Sequence, residues 1–234
     1  MLRSVAHSGP PAPGHSGGEG NAMSSYPAEL ELTAPNEVAR WRPLVHWLLA
    51  IPQLIIANVL SNVASVLALI SWFIILFTGK LPDGIANFQC MVLRYELRTY
   101  TYALWLRESY PPFEFDMTAT DPGTDPVVVH LEPQLVDRNR LTVALRFIWI
   151  IPIAVFAVVI VIAMWFAMVA AFFVVLFTGR WSNGLRSFVV GAGRLWLRVN
   201  AYGRLLVDVY PPFSLEGPPA APAMPAPLPP PTVG

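Results

Sequence analysis

Two long stretches of this chain contain no charged side chain. Residues 43–79 and residues 147–179 hold no Asp, Glu, Lys or Arg. Each stretch exceeds the roughly 20 apolar residues that one membrane crossing requires. Across the whole chain 13% of residues are charged, which is about half the share typical of soluble domains. This pattern excludes an ordinary soluble enzyme and predicts a mainly α-helical integral membrane protein.

The chain repeats itself with a shift of 100 residues. Apolar composition alone does not align distinctive motifs in one register, so we infer a tandem duplication. Copy 1 covers residues 26–116, copy 2 covers residues 126–216, and residues 117–125 link them. Disordered tails are predicted over residues 1–25 and over the Pro-rich residues 217–234. The matched motifs are Phe77-Thr78-Gly79-Lys80 with Phe177-Thr178-Gly179-Arg180, and Tyr110-Pro111-Pro112-Phe113 with Tyr210-Pro211-Pro212-Phe213.

Each copy begins with a predicted strand, at residues 28–32 in copy 1 and 127–131 in copy 2. The apolar run follows. As a single helix it would be roughly 50 Å long, whereas the hydrocarbon core of a bilayer is about 30 Å thick. We therefore predict a transmembrane helical hairpin in each copy, about four spans in total. This arrangement places the basic residues of both copies on one face, which we expect to be cytoplasmic.

The turn of this hairpin has suitable residues only in copy 1. Asn58, Ser61 and Asn62 are polar, but the matching positions of copy 2 hold only Val and Ile. A turn exposes backbone groups that lipid cannot satisfy. A single span in each copy, which would make the two repeats inverted, therefore remains an alternative.

After the apolar run, each copy has a helical segment that carries too many charges to cross lipid. We predict an amphipathic helix that lies in the membrane interface. The candidate residues for binding anionic lipid headgroups or a partner are those that both copies share on one helical face, since Arg binds phosphate bidentately. The alternative is that the arginines anchor the helix to the membrane surface or pair with Glu96, Glu108 or Asp208. The candidates are Arg94, Arg98, Tyr102, Arg194, Arg198 and Tyr202.

The sequence lacks the residue patterns of catalytic and metal sites. Its four histidines are scattered, and its single cysteine, Cys90, excludes an intrachain disulfide and a thiolate cluster. A phosphate-binding loop and a nucleophile elbow are also missing. The formal net charge of zero gives no electrostatic reason to expect nucleic-acid binding. We predict a non-enzymatic protein without metal or cofactor, whose partners are membrane lipids and other membrane proteins.

The motifs together resemble DUF4389, a domain of unknown function of bacterial membrane proteins. The resemblance rests on Phe-Thr-Gly followed by a basic residue, the helix with paired arginines, and Tyr-Pro-Pro-Phe, and it covers residues 26–217. Copy 2 is the closer match, because copy 1 has Lys80 where Arg is usual and Glu114 where Ser is usual. The resemblance implies a membrane location and a two-copy architecture. It adds no activity and no catalytic residue.

These observations favour a scaffold or accessory subunit at the cytoplasmic face of a bacterial cell membrane. We expect a multi-pass protein with both termini in the cytoplasm. The alternative is a lipid-binding or small-solute transport protein with a site between the two repeats. Transport driven by ions is the weaker form of that alternative, because the apolar runs lack the charged residues that coupling ions need.

Overall fold

The structure, a computed structural model, describes residues 26–217. The predicted disordered tails lie outside the described residues, apart from Gly217. Within this range the fold is mainly helical, and both predicted strands are confirmed. The elements are β1 (Ala28–Leu32), α1 (Arg42–Thr78), α2 (Asp83–Ala103), β2 (Val127–Leu131), α3 (Arg140–Ala144), α4 (Arg146–Thr178) and α5 (Asn183–Gly203).

Each apolar run forms one unbroken helix. α1 has 37 residues and α4 has 33, and both are long and apolar enough to cross a membrane. The predicted hairpin is therefore wrong. Two of its supposed turn residues bond to each other inside α1, because the Asn62 amide donates to the Asn58 carbonyl at 2.7 Å and to Asn58 Oδ1 at 3.1 Å. With these polar groups bonded to the preceding turn, the helix has no reason to break there.

The Phe-Thr-Gly motif ends each long helix. Gly79 and Gly179 both have a φ of 72°, a left-handed conformation that glycine adopts without steric cost. The Thr78 hydroxyl donates to a carbonyl of the last helical turn and accepts from the backbone N–H of Lys80. Thr178 makes the same two bonds in copy 2. The motif thus stops the helix at a defined residue and leaves the following basic side chain exposed.

The elements form three layers. α2 runs antiparallel to α1, with Tyr102 stacked on His46 and the Gln89 amide donating to the Ala64 carbonyl at 2.8 Å. α5 packs along α4 in the same way. On the opposite side of α2 and α5, the antiparallel pair of β1 and β2 packs with β1 on α5 and β2 on α2. α2 and α5 are therefore the middle layer, with many of their side chains buried. Their position in the membrane interface stays a prediction.

The two copies exchange contacts at the ends of the long helices. The side chain of Arg40 packs on Gly179, and the side chain of Arg140 packs on Gly79. The backbone N–H two residues before each arginine donates to the carbonyl of the same glycine, at 3.0 and 3.3 Å. The start of each long helix thus lies beside the end of the other, so α1 and α4 run in opposite directions.

The buried residues of α1 are mostly small or polar, although Asn58, Asn62 and Ser65 lie on its exposed face. The buried stripe of α1 contains Ala50, Ala57, Ala64 and Ser71, each seven residues after the one before. Every exposed residue of α4 between residues 147 and 177 is apolar. In a helix at the surface of a soluble protein this distribution is reversed, with the apolar stripe facing the core. The outer faces of α1 and α4 therefore form a large exposed apolar surface.

Candidate functional site

In copy 1 the paired arginines are buried and face carboxylates. Arg98 contacts Glu114 through Nη1 and Oε2 at 2.6 Å, and Asp121 through Nη2 and Oδ1 at 3.0 Å. Arg94 lies 3.8 Å from Asp121, measured from Nε to Oδ2. Both acids belong to the segment that follows α2 and returns along it. These arginines therefore hold that segment against the helix.

In copy 2 the equivalent arginines have fewer acidic partners. Arg198 is buried and contacts Glu29 of β1 through Nη2 and Oε1 at 2.6 Å, and it donates to the Glu216 carbonyl at 2.8 Å. Arg194 is half-buried, and its Nε donates to the Leu30 carbonyl at 3.1 Å. Within residues 26–217 Arg194 forms no ion pair. In copy 2, Arg194 thus has N–H groups that form no hydrogen bond within the described residues.

Tyr102 and Tyr202 occupy equivalent buried positions at the start of the long helices. The Tyr102 ring stacks on His46 with 4.4 Å between ring centroids, and the Tyr202 ring lies 4.0 Å from the guanidinium carbon of Arg146. The backbone carbonyl of each tyrosine also bonds to the same basic side chain, at 3.1 and 2.7 Å. Both tyrosines therefore fasten the middle layer to the long helices.

The surface position predicted for these six residues is wrong for five of them. Only Arg194 is partly exposed, and it alone is placed to contact a molecule outside the fold. Lipid or partner binding by the set stays a prediction. Arg94, Arg98 and Arg198 do face carboxylates, but these are Asp121, Glu114 and Glu29, and the expected partners Glu96, Glu108 and Asp208 do not pair with them.

A buried ion pair joins the two copies. Glu96 of α2 is 0% exposed, and both its carboxylate oxygens accept from Nη2 of Arg204 at 3.0 Å. Arg204 follows α5, and the same nitrogen also lies 3.1 Å from the Ser61 hydroxyl of α1. The positions equivalent to Glu96 and Arg204 are Trp196 and Leu104. The pair therefore has no counterpart on the other side of the molecule.

An apolar cleft lies between the copies. It has a volume of about 330 Å³, within the range of small-molecule sites. The cleft extends from α4, between α2 and α5, as far as β1. Its walls include Tyr100 of α2 and Leu104 just after it, Ile160 and Met164 of α4, and Val190 of α5.

A second cleft of about 390 Å³ lies at the equivalent place between α5 and α1. Its lining includes Ser61, Asn200 and Arg204, where the first cleft has Val161, Tyr100 and Leu104. The two clefts share their place in the fold and differ in chemistry. Only the first offers a wall suited to a hydrocarbon chain.

The described residues contain no group of three or more side chains of the metal-ligating types. The cysteine, Cys90, is buried in α2, and this burial raises the pKa of its thiol to about 12. The thiol is therefore protonated at neutral pH and is a poor nucleophile.

Comparison with protein families identifies the repeated unit. A model of the domain of unknown function DUF4389 matches residues 40–114 and, a second time, residues 140–214. Together these two matches cover more than half of the chain. The chain belongs to the DUF4389 family. The duplication inferred from the motifs is thus confirmed as two tandem DUF4389 copies. No curated protein and no solved structure matches the chain, so arguments about function rest on its own residues.

The sequence reasoning missed the charges that distinguish one DUF4389 copy from the other. A search for shared motifs selects residues present in both copies and passes over residues present in one. The informative signal is a charged residue opposite an uncharged one after the shift of 100 residues. Such residues are Glu96, Arg186 and Arg204, opposite Trp196, Ala86 and Leu104.

Proposed function

We propose that this DUF4389 protein is a non-enzymatic, lipid-binding membrane protein with α1 and α4 embedded in the hydrocarbon of a bilayer. The observation that carries the proposal is the outward apolar face of both long helices. Val161 and Phe166, midway along α4, are 60% and 63% exposed. In membrane proteins small and polar residues face other helices while large apolar residues face lipid. The distribution along α4 has this form, and that along α1 has it apart from the exposed Asn58, Asn62 and Ser65.

The face of the molecule opposite α1 and α4 is polar, and this constrains how the protein is oriented relative to a membrane. Glu31 and His130 of the sheet are more than half exposed. If α1 and α4 crossed the bilayer upright, this polar layer would lie beside them at the depth of the hydrocarbon, where charged groups are costly. We therefore infer that α1 and α4 lie along one membrane face and that the sheet faces water.

Exposed cations border the apolar surface at both ends. Arg40 and Arg180 lie together at one end, and Lys80 and Arg140 at the other. None of the four forms an ion pair within residues 26–217. Each basic residue near an anionic lipid surface contributes about 1 kcal/mol of attraction. The four cations thus support an orientation with both ends of the apolar surface at the lipid headgroups.

The apolar cleft between the copies supports the lipid-binding part of the proposal. Its wall on the α4 side belongs to a helix whose outer face is proposed to lie in lipid, so a hydrocarbon chain reaches the cleft without crossing water. The role of a scaffold or accessory subunit stays a prediction. The bacterial cytoplasmic membrane and the cytoplasmic location of the termini are likewise predictions from the motifs and the arginine distribution.

Cysteine labelling tests the orientation. In a Cys90→Ala background we expect Lys80→Cys and Arg180→Cys to react with a membrane-impermeant maleimide from the same side of a sealed vesicle. Asn62→Cys, midway along α1, should react from neither side. The protein that retains only Cys90 is the control, because this buried thiol should stay unlabelled. Reaction of positions 80 and 180 from opposite sides would replace the proposal with two inverted single spans, and release from vesicles by carbonate would refute embedding.

A further inference from the structure

A cationic recess adjoins the apolar cleft. It has a volume of about 270 Å³ and is lined by Asn36, Asn183, Arg186, Ser187 and Arg194. Leu32 and Val190 line both the recess and the cleft. The two cavities are therefore neighbours that meet at these residues, one with an apolar wall and the other with a cationic wall.

The two arginines of the recess lack acidic partners. Arg186 is 8% exposed and donates from Nη1 to the Pro35 carbonyl at 3.0 Å and from Nη2 to the Ala34 carbonyl. Arg194 donates to the Leu30 carbonyl alone. Neither forms an ion pair within residues 26–217. The recess thus holds two cations whose partners in the described structure are neutral carbonyls.

Burial affects the pKa of both guanidinium groups. Burial lowers the pKa of Arg186, and burial also lowers the pKa of Arg194, against which the carboxylate of Glu29 acts in part. An anion in the recess would favour the charged form of both arginines and would add charge-assisted hydrogen bonds. In copy 1 the position of Arg186 holds Ala86, and Arg94 already faces Asp121. Only copy 2 therefore presents such a recess.

We propose that the recess and the cleft together bind one anionic phospholipid, with its phosphate at Arg186 and Arg194 and an acyl chain in the apolar cleft. The proposal rests on the lipid-binding function proposed above and names its ligand class and its site. The cleft starts at α4 and ends at β1, so the bound lipid has its chain toward the long helices and its headgroup toward the polar layer. The charges of Arg186 and Arg194 select an anionic lipid, and the apolar wall of the cleft holds its acyl chain.

Native mass spectrometry of the full chain in mild detergent tests the proposal. Phosphatidylglycerol and phosphatidylcholine with identical acyl chains are titrated separately. We expect phosphatidylglycerol to bind about tenfold more tightly, because phosphatidylcholine adds to the same phosphate a quaternary ammonium that the two arginines repel. Arg194→Gln should remove most of this preference. Ser187→Glu, which places a carboxylate in the recess and leaves both arginines in place, should do the same.

Further variants and a soluble competitor separate the headgroup from the chain. His130→Gln changes an exposed side chain of the sheet away from the recess and should leave the preference unchanged. Ala157→Phe fills the cleft and should weaken both lipids equally, whereas Ala170→Phe on the exposed face of α4 should weaken neither. Glycerol phosphate, which has the anion without the chain, should not displace phosphatidylglycerol at equal concentration.

Equal affinity of the wild-type chain for the two lipids would overturn the proposal, as would an unchanged preference in both Arg194→Gln and Ser187→Glu. Displacement by glycerol phosphate would overturn the acyl-chain part and assign the recess to soluble anions. Flotation of the same variants with phosphatidylcholine vesicles tests the membrane proposal separately. A wild-type chain that floats but shows no lipid preference refutes only the site, whereas a chain that does not float refutes embedding.

Discussion

The two DUF4389 copies share a backbone plan but satisfy their charges differently. Copy 1 supplies an acid for its own arginines, as Glu114 does for Arg98, and the linker adds Asp121. In copy 2, Arg138 and Arg146 pair with its own Asp208, whereas Arg198 and Arg204 depend on Glu29 and Glu96 of copy 1. The two copies therefore have the same backbone arrangement, whereas their charged residues differ. The residues that diverged are therefore the place to look for properties specific to one half.

The largest effect is expected from breaking the buried pair that crosses between the copies. Glu96→Gln leaves the charge of Arg204 inside the fold without a carboxylate, and removal of one member of a buried pair costs about 3–5 kcal/mol. Glu114→Gln is the matched control, because Glu114 is partly exposed and Arg98 keeps Asp121. Its cost should be about 1 kcal/mol. Unfolding of both variants by denaturing detergent measures the difference, and equal losses would show that copy 2 does not depend on copy 1.

Removing the whole pair should have a smaller effect than removing half of it. The double variant Glu96→Leu with Arg204→Leu replaces two buried charges with apolar groups, a change that is often neutral or stabilising. Position 104, the equivalent of 204, already holds Leu. We expect stability within about 2 kcal/mol of wild type, well above that of Glu96→Gln alone. A double-mutant cycle with Arg204→Leu gives the coupling energy, and simple additivity of the two single variants would contradict a direct interaction.

The smallest expected effects test whether the ends of α1 and α4 have the same geometry. Gly79→Ala and Gly179→Ala each force a Cβ into the left-handed region, which costs about 1–2 kcal/mol. In both cases the nearest atoms to the new Cβ belong to an arginine side chain, at 3.4 Å and 3.3 Å. The two losses should therefore be nearly equal in the same unfolding assay. A difference of more than about 1 kcal/mol between them would break the equivalence of the helix ends.

The sequence predicted the repeat, the strands and the helical character of the apolar runs. Each of these features depends on a pattern within one segment of the chain, such as the alternation in residues 28–32 or the Phe-Thr-Gly motif. The hairpin was wrong because its argument matched helix length to bilayer thickness and assumed that each helix stands upright. The lack of polar turn residues in copy 2 indicated a continuous helix, as the structure has it.

The site was predicted less well than the fold, for a physical reason. The face shared by Arg94, Arg98 and Tyr102 follows from helical spacing, but what covers that face does not. Asp121, the acid that contacts this face, lies in the linker. The linker has no periodic sequence pattern from which this contact could be predicted. Arg194 has the same spacing from Arg198 and remained partly exposed because copy 2 has no equivalent acid. Distant partners of this kind become visible only when the layers are assembled.

The exchanged ends of the long helices bear on how such a protein assembles. In a chain with one copy, Arg40 has no Gly179 to pack on and Gly79 has no Arg140 above it, so the same contacts require a second molecule related by a twofold axis. Joining two copies through residues 117–125 makes that association intramolecular and independent of protein concentration. It also removes a constraint, because any substitution in a symmetric dimer appears twice. With both halves on one chain, Arg186 can appear on one side of the molecule while Ala86 stays on the other.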